Sequence, residues 1–232
     1  MTAPGKTRRP RDPRATREAI LEAALARLAA DGPEGLSLSE VAHLAGVNRG
    51  TAYQHFETRE KLVKATTDWA SAKIYRAVFG DPAEIGERRI EKIDVPQMSD
   101  RLAAFAMDNP ELCRVWLMQV LASPDPASDP FWREYEGSTQ RFALTDFAVP
   151  GVDVEVLSVI MLAGAFFWPI WAQSQGRGQD RAALSRRFSD EMLRLSMFGS
   201  LRVDRFPQIA ARLRPTRAPD SGPDSSPDSS GD

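Results

Sequence analysis

Apolar residues recur at helical spacing along most of this chain. The first run carries them at i, i+3, i+4 and i+8, which is one face of a helix: Ile20, Ala23, Ala24 and Leu28. The tripeptide Asp-Gly-Pro at 31–33 predicts the end of this helix, because Gly and Pro break helices. No alternating apolar and polar run is long enough to predict a strand. The pattern therefore predicts an all-α fold.

Local capping signals predict two short helices after this break. The tetrapeptide SLSE matches a capping box, with Ser37 as the N-cap and Glu40 reaching back to it. Gly46 suits the left-handed residue that ends a helix. Asn48 is a suitable N-cap for a following helix that runs to about His55. These signals predict a compact helix–turn–helix.

Longer helices are predicted in the rest of the chain. Thr58 caps one that runs to about Phe79, where Gly-Asp-Pro ends it. The later helical segments are about 97–108, 111–122, 130–147, 153–174 and 181–200, with a short one near 204–213.

The composition of the chain ends sets the predicted domain boundaries. Residues 1–15 have no apolar period and read as a flexible basic arm, and residues 215–232 form a Pro/Ser/Asp tract that cannot bury a core. Between a flexible arm and a disordered acidic tail, we predict a helix–turn–helix domain at 16–60 and a larger helical domain at 61–214.

Composition also excludes several kinds of site. The single cysteine, Cys113, rules out an intrachain disulfide framework and fits a reducing compartment such as the cytoplasm. Both histidines, His43 and His55, lie far from it in sequence, so a Cys/His dyad is not expected. With only two histidines and one cysteine, a conventional zinc site is not expected either. The chain has no secretory signal, GxSxG elbow, P-loop or dinucleotide fingerprint. We predict neither an enzyme nor a bound cofactor or metal.

Charge is distributed unevenly along the chain. Residues 1–66 contain 11 Lys/Arg and 8 Asp/Glu, a net charge of +3, whereas residues 67–232 contain 19 and 24, a net charge of −5. A basic front favours an anionic partner there, although chance variation in surface charge explains it nearly as well.

The stretch GVNRGTAYQHF at 46–56 has the chemistry of a helix that reads DNA. Ala52 and Phe56 are four residues apart and face the core, whereas polar side chains surround the rest of the helix, namely Arg49, Thr51, Tyr53, Gln54 and His55. A helix in the major groove needs such groups to reach base edges and phosphates. Gly50 lets the start of the helix approach a duplex closely. Many short polar helices are nevertheless only solvated.

The segment from about Thr16 to Lys64 resembles the DNA-binding domain of TetR-type transcriptional regulators. The shared order is a helix, a Gly break, a Ser/Thr-initiated helix, an AGV turn, the motif G-T-x-Y-x-H-F and a Ser/Thr-capped helix with a basic start. The resemblance covers about a fifth of the chain. The remainder is similar to the family only in being helical and of suitable length.

The resemblance implies roles for individual residues. Arg49 and Thr51 are expected to face base edges. Tyr53, His55 and Lys61 are expected to contact the DNA backbone. The full set of predicted DNA-binding residues is Ser37, Asn48, Arg49, Gly50, Thr51, Tyr53, Gln54, His55 and Lys61.

The resemblance also implies roles for three further positions of this set. Ser37 and Asn48 cap helices and are placed to touch phosphate. Gln54 either hydrogen-bonds an adenine or faces solvent, and the sequence does not distinguish these. Ala52 stands where larger apolar residues are common in the family.

A second notable segment, VEVLSVIMLAGAFFWPIWA at 154–172, is apolar on nearly every side. Its length approaches that of a membrane span, but Glu155 lies within it, Pro169 is expected to kink it and no basic cluster flanks it. We predict no membrane insertion. One face is expected to pack on its own domain and the other on a second subunit, with the small residues 163–165 permitting close approach. The resemblance implies that this helix and the next, at 181–200, build a dimer-forming four-helix bundle.

Large apolar side chains are dense in the middle of the chain. For each of them, burial in an ordinary core is the simpler interpretation. The resemblance implies instead that some line a cavity for an apolar or aromatic small molecule. The candidate lining residues are Phe105, Met107, Trp116, Trp132, Tyr135, Phe167 and Trp171.

The function predicted from these observations is a ligand-responsive DNA-binding transcriptional regulator. It is expected to be a repressor that binds a palindromic operator as a homodimer and is released by a small, largely apolar effector. The alternative is an all-helical protein-interaction scaffold without sequence-specific DNA binding. Binding of purified protein to palindromic DNA separates the two.

Overall fold

The computed structural model describes residues 12–81, 95–176 and 180–198. Its helices are α1 (Pro13–Asp31), α2 (Leu38–Leu44), α3 (Arg49–His55), α4 (Arg59–Phe79), α5 (Val95–Asp108), α6 (Pro110–Ala122), α7 (Pro130–Ala143), α8 (Val154–Ser174) and α9 (Arg181–Phe198), with a 3-10 helix at Pro126–Ser128. No strand occurs in these described ranges, and the predicted all-α fold is confirmed. Residues 1–11, the short helix near 204–213 and the tail at 215–232 lie outside the described residues.

Helix α1 begins inside the segment that the sequence assigned to a flexible arm. Pro13 occupies the first helical position, where its missing N–H costs nothing. The carboxylate of Asp12 accepts a hydrogen bond from the Arg14 backbone N–H at 3.0 Å and caps the helix. Residues 13–15 are therefore helical because a cap and a proline start the helix there.

The turn between α2 and α3 is closed by backbone hydrogen bonds. Gly46 has a φ of 65°, which is the left-handed conformation that its sequence position predicted. Its N–H donates to the His43 carbonyl at 3.1 Å, and the Val47 N–H donates to the Ala42 carbonyl at 3.0 Å. This pair of bonds is a Schellman motif, which fixes the angle between the two helices.

The predicted capping box at the start of α2 is wrong. Ser37 occupies the N-cap position, but its side chain makes no capping hydrogen bond. The Glu40 carboxylate instead accepts a hydrogen bond from Arg27 of α1 at 3.1 Å. An ion pair with a neighbouring helix has displaced the local contact that the tetrapeptide suggested.

Helices α1, α2 and α3 and the start of α4 surround one apolar core. Its fully buried members include Ile20, Val41, Ala52 and Leu62, one from each helix. Val115 of α6 also belongs to this core and is 4% exposed. The N-terminal domain is therefore packed directly against the C-terminal helices.

Helix α4 joins the two halves of the molecule. Its first turns pack in the N-terminal core, and its later residues, such as Ile74 and Val78, pack in a second core with α5 to α8. Aromatic rings form the centre of that second core. Trp116 contacts Phe131 with ring centroids 5.2 Å apart and Phe166 with centroids 5.4 Å apart, both edge-on. A displacement of α4 therefore changes the packing of both cores.

Two helices differ from their predicted shapes. Helix α7 ends at Ala143 rather than near 147. The following residues form turn hydrogen bonds that span three residues instead of four, such as the bond from the Thr145 N–H to the Phe142 carbonyl at 3.0 Å. Helix α8 runs without interruption through Pro169. Helix α8 is also long and apolar enough to span a membrane by length and composition, and 33% of that span is buried in the protein.

Candidate nucleic-acid interface

Helix α3 is held at its N-terminus by Asn48. The side-chain oxygen of Asn48 accepts the Thr51 backbone N–H at 2.7 Å and the Thr51 hydroxyl at 3.0 Å. The prediction that Asn48 caps this helix is confirmed. Because the Thr51 proton is used in this contact, the Thr51 oxygen has only acceptor capacity left for an outside partner.

Gly50 lies close to the capping oxygen of Asn48. A Cβ atom added at Gly50 would lie 3.3 Å from Asn48 Oδ1, closer than ordinary packing contacts. A side chain there would press on the oxygen that caps the helix. The sequence attributed Gly50 only to close approach by a duplex, and the capping geometry gives a second reason for it.

The two faces of α3 differ sharply in exposure. Ala52 is fully buried and Phe56 is 3% exposed, as their spacing predicted. Arg49, Gly50 and Gln54 are exposed, Tyr53 is 39% exposed, and Thr51 and His55 are half-buried. The polar groups of the helix therefore form one accessible surface.

Arg49 and Tyr53 form a pair on this surface. One guanidinium nitrogen of Arg49 donates to the Tyr53 hydroxyl at 3.4 Å, and the guanidinium carbon lies 5.3 Å from the centre of the tyrosine ring. One helical turn separates the two residues, so the pair holds the arginine along the exposed face.

Lys61 is exposed but already paired. Its ammonium group is hydrogen-bonded to the Glu57 carboxylate, one turn earlier. This hydrogen bond and the positive charge of Lys61 lower the pKa of Glu57 below its ordinary value. A phosphate that binds Lys61 must therefore compete with a neighbouring carboxylate.

A cation from α1 lies beside the end of α3. The Arg17 guanidinium lies 4.6 Å from the centre of the Phe56 ring, directly after α3. The two residues are far apart in sequence, and only the folded core brings them together. In the sequence, Arg17 contributed only to the positive charge of residues 1–66, and its contact with Phe56 was not predicted.

The residues proposed to line a ligand cavity fall into separate groups. Trp116 and Tyr135 are buried in the second core, and Phe105 and Trp132 are half-buried against it. Burial raises the pKa of the Tyr135 hydroxyl well above its usual range, so it stays protonated. Met107 lies in a small cluster with Ala172 and Leu184.

Phe167 and Trp171 lie apart from both of these groups. They are 59% and 48% exposed on the outer side of α8, with stacked rings whose centroids are 6.3 Å apart. Their helical positions point away from the core because the opposite side of α8 carries its buried residues, among them Phe166 and Pro169. The prediction that these two aromatics line an internal cavity is not supported by their placement.

Helix α8 presents a continuous exposed apolar stripe. It is formed by residues spaced three or four apart, namely Val156, Ile160, Ala163, Phe167 and Trp171. The sequence had placed Gly164 and Ala165 in a contact between subunits. Ala165 is 1% exposed, and a Cβ atom at Gly164 would lie 3.6 Å from the Phe188 ring of α9, so both face the interior of the same chain.

Known proteins share this arrangement. Residues 20–66 match the model for bacterial regulatory proteins of the tetR family. The HTH-type transcriptional repressor Rv3405c of Mycobacterium tuberculosis is 36% identical over 75 residues, which is 32% of this chain and 40% of that protein. CymR of Pseudomonas putida, an HTH-type transcriptional regulator, is 32% identical over 112 residues, covering 48% of this chain and 53% of that protein. The chain thus aligns with about half or less of these relatives' lengths.

Solved structures share the fold over a larger part of the chain. A crystal structure of AibR in complex with isovaleryl coenzyme A and operator DNA superposes with a TM-score of 0.61 at 18% identity, covering 80% of this chain and all of that one. A tetR-family regulator from Rhodococcus RHA1 also gives a TM-score of 0.61 at 18% identity, over 78% of this chain and 96% of that one. At these identities the likeness establishes the fold. Residues 20–66 therefore match the tetR family of bacterial regulatory proteins, and the helices that follow share the fold of solved tetR-family regulators.

Proposed function

We propose that this protein is a cytoplasmic, DNA-binding transcriptional repressor that binds a palindromic operator as a homodimer. The observation that carries the proposal is the polar face of α3. It is exposed, it is fixed by the Asn48 cap and the preceding turn, and it has cations beside it. Relatives that carry this domain are described as transcriptional regulators, and Rv3405c is described as a repressor.

The donors and acceptors on α3 suggest which contacts carry sequence information. Arg49 has guanidinium donors that match the O6 and N7 acceptors of guanine in the major groove. Thr51 retains acceptor capacity and suits an amino group of adenine or cytosine. Tyr53, His55 and Lys61 are assigned to phosphates, which fix the position of the helix without reading sequence. Ser37, half-buried at the N-cap of α2, is assigned to phosphate, and Gln54, exposed on α3, is assigned either to an adenine or to solvent.

The α8 stripe supports the homodimer. Four large apolar side chains on one face of α8 are each about half exposed in the single chain, so a second copy removes them from water. A two-fold dimer is also the assembly that places two recognition helices on a palindrome. We propose that a second subunit, and not lipid, covers this stripe, and we therefore propose no membrane contact.

An effector is assigned to the aromatic core of the C-terminal half. Phe105, Met107, Trp116, Trp132 and Tyr135 remain the proposed lining for a small apolar molecule, which would displace α4 and release DNA. The solved complex of AibR with isovaleryl coenzyme A is a precedent for effector binding on this fold. Phe167 and Trp171 are assigned to the α8 stripe instead.

Selection of binding sites from random duplex DNA tests the proposed function. The purified protein should enrich an inverted repeat, and binding should weaken steeply as salt rises. Arg49→Ala should weaken the enriched site by about 1–3 kcal/mol and relax one position of each half-site. Arg101→Ala, which removes an exposed arginine from α5, is the matched control and should leave binding unchanged.

Two results would count against the proposal. Failure of the wild-type protein to enrich any sequence would favour the helical scaffold over the regulator. An equal loss of affinity for specific and random DNA in Arg49→Ala would remove Arg49 from base recognition.

A further inference from the structure

The carboxylate of Asp129 lies where α4, α6 and α7 meet. Its Oδ1 accepts the Ser71 hydroxyl of α4 at 2.9 Å, and its Oδ2 accepts the Trp116 indole N–H of α6 at 3.1 Å. Oδ1 also accepts the backbone N–H groups of Phe131 and Trp132, at 2.9 and 3.0 Å, and so caps α7. One carboxylate therefore joins three helices through four hydrogen bonds.

These contacts exceed what a helix cap requires. Asp153 occupies the same position at the start of α8, and its capping bond is to the Val156 backbone N–H. Asp129 adds bonds to side chains that are distant in sequence and buried, since Ser71 is 1% exposed and Trp116 is fully buried. Both donors point into the protein at a charged acceptor, and charged acceptors make the stronger hydrogen bonds.

Ser71 is the point at which this cluster holds α4. The helix begins directly after α3, with Thr58 as its cap, and Ser71 lies about 20 Å farther along its axis at 1.5 Å per residue. A tilt of about 5° at Ser71 would move the start of α4 by about 2 Å over this length. A small change in the tilt of α4 at Ser71 therefore gives a larger displacement at the start of α4, next to α3.

A second polar contact links the two halves at a different place. Arg114 of α6 donates to the Ala29 carbonyl near the end of α1. Helix α6 carries both Arg114 and Trp116. It therefore contacts α1 through Arg114 and donates a hydrogen bond to Asp129 through Trp116. Helix α6 is thus bonded directly to α1 and, through Asp129, to α4.

We infer that Asp129 is a positioning residue which, through Ser71 and Trp116, sets the angle of α4 and with it the placement of α3. The inference rests on the proposed function for its effect on DNA, but the placement of α4 can be measured without DNA. Asp129 makes no contact with a ligand or a base in this scheme. It acts on recognition through the helix that it holds.

Hydrogen exchange on the full-length protein tests the placement of α4. Ser71→Ala removes the bond from Ser71 to Asp129 and the bond that Ser71 accepts from the Phe131 N–H at 3.3 Å, but it leaves the bonds that Asp129 accepts from α7 and from Trp116 in place. It should raise amide exchange over residues 59–66 by about fivefold or more. Ser189→Ala is the matched control, because Ser189 is also fully buried and also donates to a carboxylate, that of Asp100, between α9 and α5. The control should leave exchange in α4 unchanged. Trp116→Phe removes the anchor on the α6 side and should act in the same direction as Ser71→Ala.

Operator spacing supplies the second measurement. On the sequence enriched by the wild-type protein, Ser71→Ala should tolerate insertion of one base pair between half-sites better than the wild type, while Ser189→Ala keeps the wild-type preference. Unchanged α4 exchange in Ser71→Ala, or raised exchange with an unaltered spacing preference, overturns the inference. If the wild-type protein enriches no sequence, the proposed function fails, and the exchange comparison alone then decides whether Asp129 positions α4.

Discussion

At the scale of single residues, the cations of the candidate interface are in contact with neighbouring side chains, and DNA bound as proposed would have to rearrange these contacts. Lys61 is bonded to Glu57, and Arg49 donates to Tyr53. Arg59 is paired with Glu34 at 3.3 Å. Such exposed pairs contribute little to stability, so exchanging a carboxylate for a phosphate costs the fold little.

Glu57→Gln should therefore strengthen non-specific DNA binding. The substitution frees Lys61 and removes one negative charge next to the DNA backbone. The slope of log affinity against log salt should become steeper by about one unit, as expected when one more phosphate is neutralised. Titration of random duplex DNA at several salt concentrations measures both quantities.

Glu134→Gln provides the comparison for this effect. Glu134 is also paired with a cation, Arg141 at 2.7 Å, but it lies on α7 in the C-terminal half. It should leave the salt slope unchanged. An equal rise in affinity for the two variants would mean that net charge, rather than release of Lys61, controls binding.

At the scale of elements, the two short helices are stabilised in different ways despite similar cap sequences. Asn48 caps α3 through two hydrogen bonds, whereas the Ser37 side chain makes no capping bond at α2. Asn48→Ala should lower the free energy of unfolding by about 0.5–2 kcal/mol. Ser37→Ala should change it by less than about 0.5 kcal/mol. Chemical denaturation of the two variants against the wild type gives both values, and equal losses would contradict the capping assignment.

Much of the helical pattern could be predicted because its signals are local. Gly46 and Asn48 fixed the turn before α3 from adjacent residues, and the spacing of Ala52 and Phe56 identified its buried face. The i,i+4 pair of Glu57 and Lys61 was equally local and was readable from the sequence, although it was not anticipated.

Contacts between distant residues could not be predicted in this way. The Ser71–Asp129 bond joins residues that are 58 apart, and the Arg17–Phe56 contact joins α1 to the end of α3. The buried face of α8 could not be predicted either, because nearly every side of that helix is apolar and only the packing of the fold shows which side is covered. For that reason Phe167 and Trp171 were assigned to the interior, and Gly164 and Ala165 to the subunit contact.

At the scale of the whole molecule, the α8 stripe is the surface proposed to form the homodimer. Ala163 is exposed within the stripe, and Ala104 is exposed on α5 outside it, so the same substitution can be made at both. Ala163→Glu should place a charge in the subunit contact and give a folded monomer at micromolar concentration, whereas Ala104→Glu should remain dimeric. Sedimentation velocity measures the states directly. A wild-type protein that sediments as a monomer at the same concentration would contradict the dimer.

The α8 stripe lies far along the chain from α3, and this separation has a genetic consequence. A copy with Arg49→Ala keeps its stripe intact and, in the proposed homodimer, should still pair with wild-type copies. If both are made in equal amounts, random pairing leaves about a quarter of the dimers with two intact recognition helices. The substitution should therefore be dominant-negative in a reporter strain, and adding Ala163→Glu to the same chain should make it recessive.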